Sequence, residues 1–264
     1  TVYRPEGENT ILPSTWHQTG ISFWGKTKGW RYELQFLAGL NANNFTNTGW
    51  INKGPGSPME FEIATKYGGS LRIDNYSIKG LRLGLSGYYG HSIGNAYPVN
   101  KNGVDAQYKG VVAVGSFDFT YNDHNWIVRG QADYGYLGDA EQLKYISDRR
   151  DNKSPYHHTV SVSKNAFVYG IEAGYDVFSQ IEKLHQDKQK FYVFGRYEHY
   201  NPYASKSNNT SYDYTNVKRM AWGINYFPIK QIAIKAEYSH RFLDKKYNNE
   251  PSINIGVAYE GWFL

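Results

Sequence analysis

The sequence predicts an all-β chain, a transmembrane antiparallel β-barrel, and three observations carry that prediction. The first is the C-terminal stretch Ile253-Asn254-Ile255-Gly256-Val257-Ala258-Tyr259-Glu260-Gly261-Trp262-Phe263-Leu264. Positions 253, 255, 257, 259 and 263 are apolar or aromatic, while Asn254 and Glu260 face the other way. That is the period of a strand with one apolar and one polar side. The second is composition: 25 Tyr, 13 Phe and 7 Trp make 17% of the residues aromatic, yet mean hydropathy is negative. A barrel wall reconciles the two, because lipid meets only alternate side chains and aromatic girdles sit at both interfaces. No run of about 18 apolar residues occurs, which excludes a transmembrane helix. The third is the spacing of the strands.

About eleven strand-like segments of roughly ten residues follow one another, the length that crosses a bilayer when tilted. They lie near 17–26, 30–41, 60–75, 81–91, 108–121, 126–137, 166–178, 190–200, 217–227, 231–242 and 252–263. Short connections (Thr27–Gly29, Tyr76–Gly80, Asn122–Asn125, Pro228–Lys230) alternate with long polar ones. The long ones are Asn43–Met59, Ser92–Gln107, Gly138–Asn165, Asn201–Asn216 and Leu243–Pro251. Ser179–Gln189 falls where a short turn is due and is longer than the others. Alternating short periplasmic turns and long external loops are barrel topology. The last strand then runs down to a periplasmic end, and so does the first. A closed barrel with both termini in the periplasm holds an even number of strands. At least one strand is therefore expected outside this set.

If apolar residues face lipid, the opposite parity lines the lumen. Strand 2 sends Trp30, Tyr32, Leu34 and Phe36 outward and Arg31, Glu33 and Gln35 inward. By the same rule Glu62, Lys66, Arg72 and Asp74 point inward, as do Arg82 and Ser86. Later strands add Arg129, Gln131, Asp133, Glu172, Asp176, Arg196, Glu198, Arg219, Asn225, Lys235, Glu237 and Glu260. These comprise about eight cations and about nine anions, often of opposite sign two residues apart, so neighbours can pair and the wall is near neutral. The formal charge of +5 accumulates instead in loops and turns, among them Arg149, Arg150, Lys153, Lys183, Lys188, Lys245 and Lys246. Solvated loops account for them; attraction of anionic solutes or lipopolysaccharide is the sharper alternative.

Other chemistry finds little support. With no Cys there is no disulfide framework, thiol catalysis or Cys-based metal site. His157-His158 has no acidic or histidine partners at ligand spacing. His240 is expected to point inward, with Ser239 on the opposite parity, and no local signature links the two as a hydrolase pair. The loop 138–165 lacks the ligand spacing of a calcium loop. No basic helical stripe suggests nucleic acid. The reading is non-enzymatic, without metal or cofactor. Thr1-Val2-Tyr3-Arg4-Pro5 is not a leader, so the chain is expected to start after processing or inside a longer protein.

Tyr3-Arg4-Pro5-Glu6 with Ile11-Leu12-Pro13-Ser14-Thr15-Trp16, followed by Gly20-Ile21-Ser22-Phe23, resembles the porin O/P (phosphate-selective porin-like) family of Bacteroidetes. Ile73-Asp74 and Gly80-Leu81-Arg82-Leu83-Gly84-Leu85-Ser86-Gly87-Tyr88-Tyr89-Gly90 extend the resemblance. It implies a barrel of about 16 strands, about five of them before this chain. It also implies that residues 1–16 form a long external loop folded into the lumen, with Arg4, Glu6 and Glu8 at the constriction, and that 17–264 form strands and loops of the barrel. The arginine ladder behind the family's phosphate selectivity is not apparent among the inward positions.

The expectation is a bacterial outer-membrane porin, weakly selective, passing small hydrophilic solutes or ions by passive diffusion. The alternative is a non-conducting structural or accessory barrel subunit of an outer-membrane complex. Expected partners are outer-membrane lipid, lipopolysaccharide and small hydrophilic solutes, with a further copy or other outer-membrane proteins as the macromolecular ones, and no nucleic acid.

Overall fold

Two-residue turns close hairpins at one end of the sheet. Lys28-Gly29, with φ of 41° and 83°, joins β1 (Gly20–Thr27) to β2 (Trp30–Ala38). His124-Asn125, with φ of 51° and 64°, joins β5 (Val111–Asp123) to β6 (Trp126–Leu137). Positive φ at both central residues matches the right-handed twist of the strands it connects. The computed structural model describes residues 5–55, 65–94, 108–143, 161–205 and 212–260. Its remaining strands are β3 (Tyr67–Asn75), β4 (Leu81–His91), β7 (Asn165–Asp176), β8 (Lys190–Asn201), β9 (Val217–Ile229), β10 (Ile232–Phe242) and β11 (Glu250–Tyr259). A six-residue helix, α1 (Glu6–Ile11), precedes them.

All eleven strands form one antiparallel meander in sequence order. β1 and β11 lie at its two ends and do not pair with each other, so the described residues make an open sheet. The elements follow the sequence pattern, with bounds shifted by two or three residues at several strand ends and larger differences at β3 and β11. β3 begins at Tyr67, leaving Lys66 in the bend before it, and Glu62 lies outside the described residues. β11 ends at Tyr259, and residues 261–264, including the terminal aromatics, also lie outside them. The long connection after β7 contains a 3-10 turn at Val177–Gln180 and a short helix at Glu182–Gln186.

The faces of this sheet are inverted relative to a water-soluble sandwich. Trp222 is 53% exposed and Ile255 77%, whereas Glu198 and Glu237 are 2% and 1% exposed. Trp30, Phe36, Phe117, Trp126, Ile171 and Ile234 share the exposed apolar face. Charged side chains are rarely buried unless paired, and large exposed apolar areas mark contact with another apolar phase. A strand whose apolar side faces lipid and whose polar side faces a lumen gives this distribution.

The apolar core sits on the polar side of the sheet, at the end with the long loops. Residues 39–55, between β2 and β3, pack there against the other strands. Trp50 is fully buried, and its indole N–H donates to the carbonyl of Ser163 at 3.1 Å. Ile51, Leu40, Ile93, Leu137 and Ile11 join it. A segment expected to be a polar loop is therefore partly an apolar plug, built by Phe45, Trp50 and Ile51.

Candidate functional site

The polar face is organised into two ion-pair networks. In the first, strand register sets Asp74 of β3 and Asp118 of β5 on either side of Gly84 of β4. Arg72 and Arg82 reach across this gap. Arg72 grips Asp74 bidentately at 2.8 and 3.1 Å and reaches Asp118 at 3.0 Å. Arg82 binds Asp74 at 2.9 Å, Asp118 at close range, and the Thr120 hydroxyl at 3.3 Å. Glycine makes the space: a Cβ at position 84 would stand 2.6 Å from Asp118 Oδ2 and 2.8 Å from both guanidinium groups. Two cations and two anions leave this network neutral, and it stands on strand residues alone.

The second network spans β7 to β11 and includes the helix. Arg196 holds Glu172 through two nitrogens at 2.9 and 3.0 Å and lies 3.8 Å from Glu198. Arg219 meets Glu237 at 3.0 Å, Glu198 at 3.4 Å and Glu6 at 3.4 Å, and donates to the Ser239 hydroxyl at 3.0 Å. Arg241 binds Glu6 at 2.7 Å and Glu250 at 2.7 Å. Glu6 also accepts from the Tyr200 hydroxyl at 2.7 Å, and the Gly7 N–H donates to Glu198 at 3.3 Å. A Cβ on Gly7 would come within 2.5 Å of Val168 and 2.9 Å of Tyr200. The helix thus lies against the wall because residue 7 is glycine, and Glu6 fixes it there.

Between helix and wall lies a cavity of about 970 Å³, lined on the helix side by Glu8 and Trp16 and on the wall by Arg82, Arg129, Asp133, Glu172 and Lys235. Trp16 packs on Tyr88 with ring centroids 4.8 Å apart. Asp133 accepts from the Ser116 hydroxyl. Arg31 pairs with Glu33 at 3.0 Å near the open edge. Among the described residues no ion pair reaches Arg129 or Lys235. They are the cations of this cavity wall left facing open space.

The structure thus gathers most of the sequence-expected residues on one face. Glu6 and Glu8 belong to α1, and Arg4 lies outside the described residues. Lys66 is not on a strand, so the alternation that assigned it inward does not extend to it. His240 is a correction. The period running through Lys235 and Glu237 places Ser239 and Arg241 on the polar face and His240 on the other. Ser239 is committed to Arg219 and to Ser252, whose hydroxyl lies 2.8 Å away. Asp118, Thr120, Arg241 and Glu250 belong to the networks but were not among the expected residues, Glu250 having been expected in a loop. The signal was available for Asp118 and Thr120, since Ser116-Phe117-Asp118-Phe119-Thr120-Tyr121 alternates without a break, and for Arg241 in the period through Lys235 and Glu237.

No family profile matches the chain. A protein of Aquifex aeolicus (strain VF5) described as uncharacterized is 26% identical over 261 residues, covering 94% of this chain and 54% of its own length. The chain therefore spans about half the length of that relative. A porin structure refined at 1.8 Å superposes with a TM-score of 0.50 at 10% identity, covering 91% of this chain and 60% of the porin. An anion-selective porin from Comamonas acidovorans does so with a TM-score of 0.50 at 10% identity, covering 90% of this chain and 58% of its own. The fold is that of the porins, an all-β antiparallel sheet of barrel type.

Proposed function

We propose that this chain is a part of an outer-membrane porin of the porin O/P type. It would supply about eleven of about 16 strands to a water-filled channel. The carrying observation is the inversion of the sheet: charges are paired on the side that holds the cavity, and aromatic and aliphatic residues are exposed on the other. A charge turned toward mid-bilayer would cost roughly 2–4 kcal/mol, so the apolar face belongs to lipid and the polar face to the lumen. The odd number of strands among the described residues, the unpaired ends of their sheet and the greater length of the Aquifex relative support the view that further strands close the barrel.

On this reading residues 1–16 form the constriction, with Glu6 and Gly7 fixing α1 to the wall and Glu8 facing the passage. The solutes are small and hydrophilic, and passage is passive, without a catalytic step or a cofactor. Because most wall charges are paired, selectivity is weak, with a slight anion bias at low salt from the basic loops. Outer-membrane lipid and lipopolysaccharide are the surrounding partners. A second reading, a non-conducting accessory barrel, is favoured by the apolar plug around Trp50 at the long-loop end.

Planar-bilayer recording of the full-length protein separates the two. Stepwise conductance with a small reversal potential across a salt gradient is expected of the porin. Absence of conductance steps from correctly folded protein overturns it in favour of the plugged barrel. Strong anion selectivity persisting near 1 M salt, where the Debye length is only about 3 Å, would show that a basic ladder outside these residues governs the pore.

A further inference from the structure

A second cavity, of about 430 Å³, opens at the long-loop end, bounded by Tyr214, Tyr247, Asn248, Arg241 and Glu250, with Tyr200 at its base. Its volume falls within the roughly 300–1,000 Å³ of small-molecule sites. Tyr214 and Tyr247 come from different loops, and their rings meet edge to face with centroids 5.9 Å apart. The aromatic run continues away from the cavity, Tyr214 to Tyr212 at 6.0 Å and Tyr212 to Tyr203 at 4.7 Å. Burial and the neighbouring phenols Tyr212 and Tyr247 hold the Tyr214 phenol above its ordinary pKa, while a hydrogen bond with Asn47 opposes that shift.

We propose that this cavity is a binding site for a neutral saccharide, on the external approach to the constriction. Two features select that chemistry. A pyranose ring presents C–H groups on one face, suited to the negative face of an aromatic ring, and hydroxyls around its rim. Here Tyr214 and Tyr247, with Val217 and Leu243, supply the apolar part of the lining, and Asn248, Arg241 and Glu250 supply amide, guanidinium and carboxylate groups. The electrostatics disfavour an anion, because Arg241 already sits between Glu6 and Glu250 at 2.7 Å each. Its positive charge is more than balanced. Arg241, which lines the cavity, also holds Glu6 of α1 and so links the site to that helix.

As a step in solute uptake this inference rests on the channel reading, whereas saccharide binding itself does not. Calorimetry on the detergent-solubilised full-length protein with maltotriose, cellotriose and chitotriose tests it. At least one of the three is expected to bind. The Tyr214→Ala, Tyr247→Ala double variant should weaken that binding by about tenfold or more, equivalent to about 1.4 kcal/mol. Tyr214→Phe with Tyr247→Phe should retain it, since the rings remain. Tyr76→Ala, in a short turn at the opposite end, should bind as the wild type does. No binding of any of the three at millimolar concentration, or undiminished binding by the Ala double variant, overturns the proposal. Bilayer recording separates the two readings: conducting channels that bind no sugar remove only the saccharide site, and sugar binding without conductance removes only the channel.

Discussion

The two ion-pair networks on the polar face both set arginines against carboxylates, Asp in the first and Glu in the second, and serve different ends. In the β3–β5 network every partner is on a strand, and the charges cancel. In the β7–β11 network three arginines face four strand carboxylates, Glu172, Glu198, Glu237 and Glu250, before the helix adds Glu6. Net charge does not call for Glu6; geometry does. It bridges Arg219 and Arg241 while accepting from Tyr200. The first network stiffens wall, and the second uses wall to position a separate element. A charge cluster's composition therefore says less about its role than whether all its members lie on one sheet.

The largest expected effect follows from breaking the second network at its centre. Arg219→Met leaves Glu198 and Glu237 facing a buried site without their shared cation, and should destabilise the barrel by about 3–5 kcal/mol. Urea unfolding from lipid vesicles measures it. Arg82→Gln in the first network should cost less, about 1–3 kcal/mol, because Arg72 still reaches both aspartates. It should leave the helix in place, so the single-channel current stays quiet. Glu6→Gln should change stability by only about 1–2 kcal/mol yet alter the current more, raising conductance and adding noise as α1 loosens. If Arg82→Gln adds noise and Glu6→Gln does not, the division of labour between the networks is wrong. The smallest effect belongs to the cations outside both networks. Arg129→Ala with Lys235→Ala should stay within about 0.5 kcal/mol in stability. Reversal potentials should nonetheless shift toward cation preference at low salt, and the shift should shrink as salt screens charge beyond about 8 Å.

Most of the wall was legible in the sequence because the strand period is rigid: once Trp30 and Phe36 are assigned outward, Arg31 and Glu33 have no freedom. The same rule held Asp118 and Arg241, and His240 was misplaced only where the period was not carried through from Lys235 and Glu237. Lys66 shows the opposite failure, a period extended past the end of its strand. What the period cannot express is contact between segments far apart in the chain. Glu6 meets Arg241 across 235 positions, and the Trp50 plug depends on the shape of the strand ends that receive it. Gly84 is intermediate: its lack of a side chain was visible, but the reason, four charges converging on it, required the register of three strands.

Cysteine accessibility tests the central claim, that the charged face is wet and the aromatic face meets lipid. The chain itself contains no cysteine, so single positions can be probed in a cysteine-free full-length background. Ser86→Cys and Thr120→Cys should react with a charged, water-soluble methanethiosulfonate and reduce channel current. Phe117→Cys and Ile171→Cys should resist that reagent and react with a lipid-soluble maleimide instead. Labelling of the Phe117 and Ile171 positions by the water-soluble reagent, with the Ser86 and Thr120 positions protected, would contradict the assignment of the two faces.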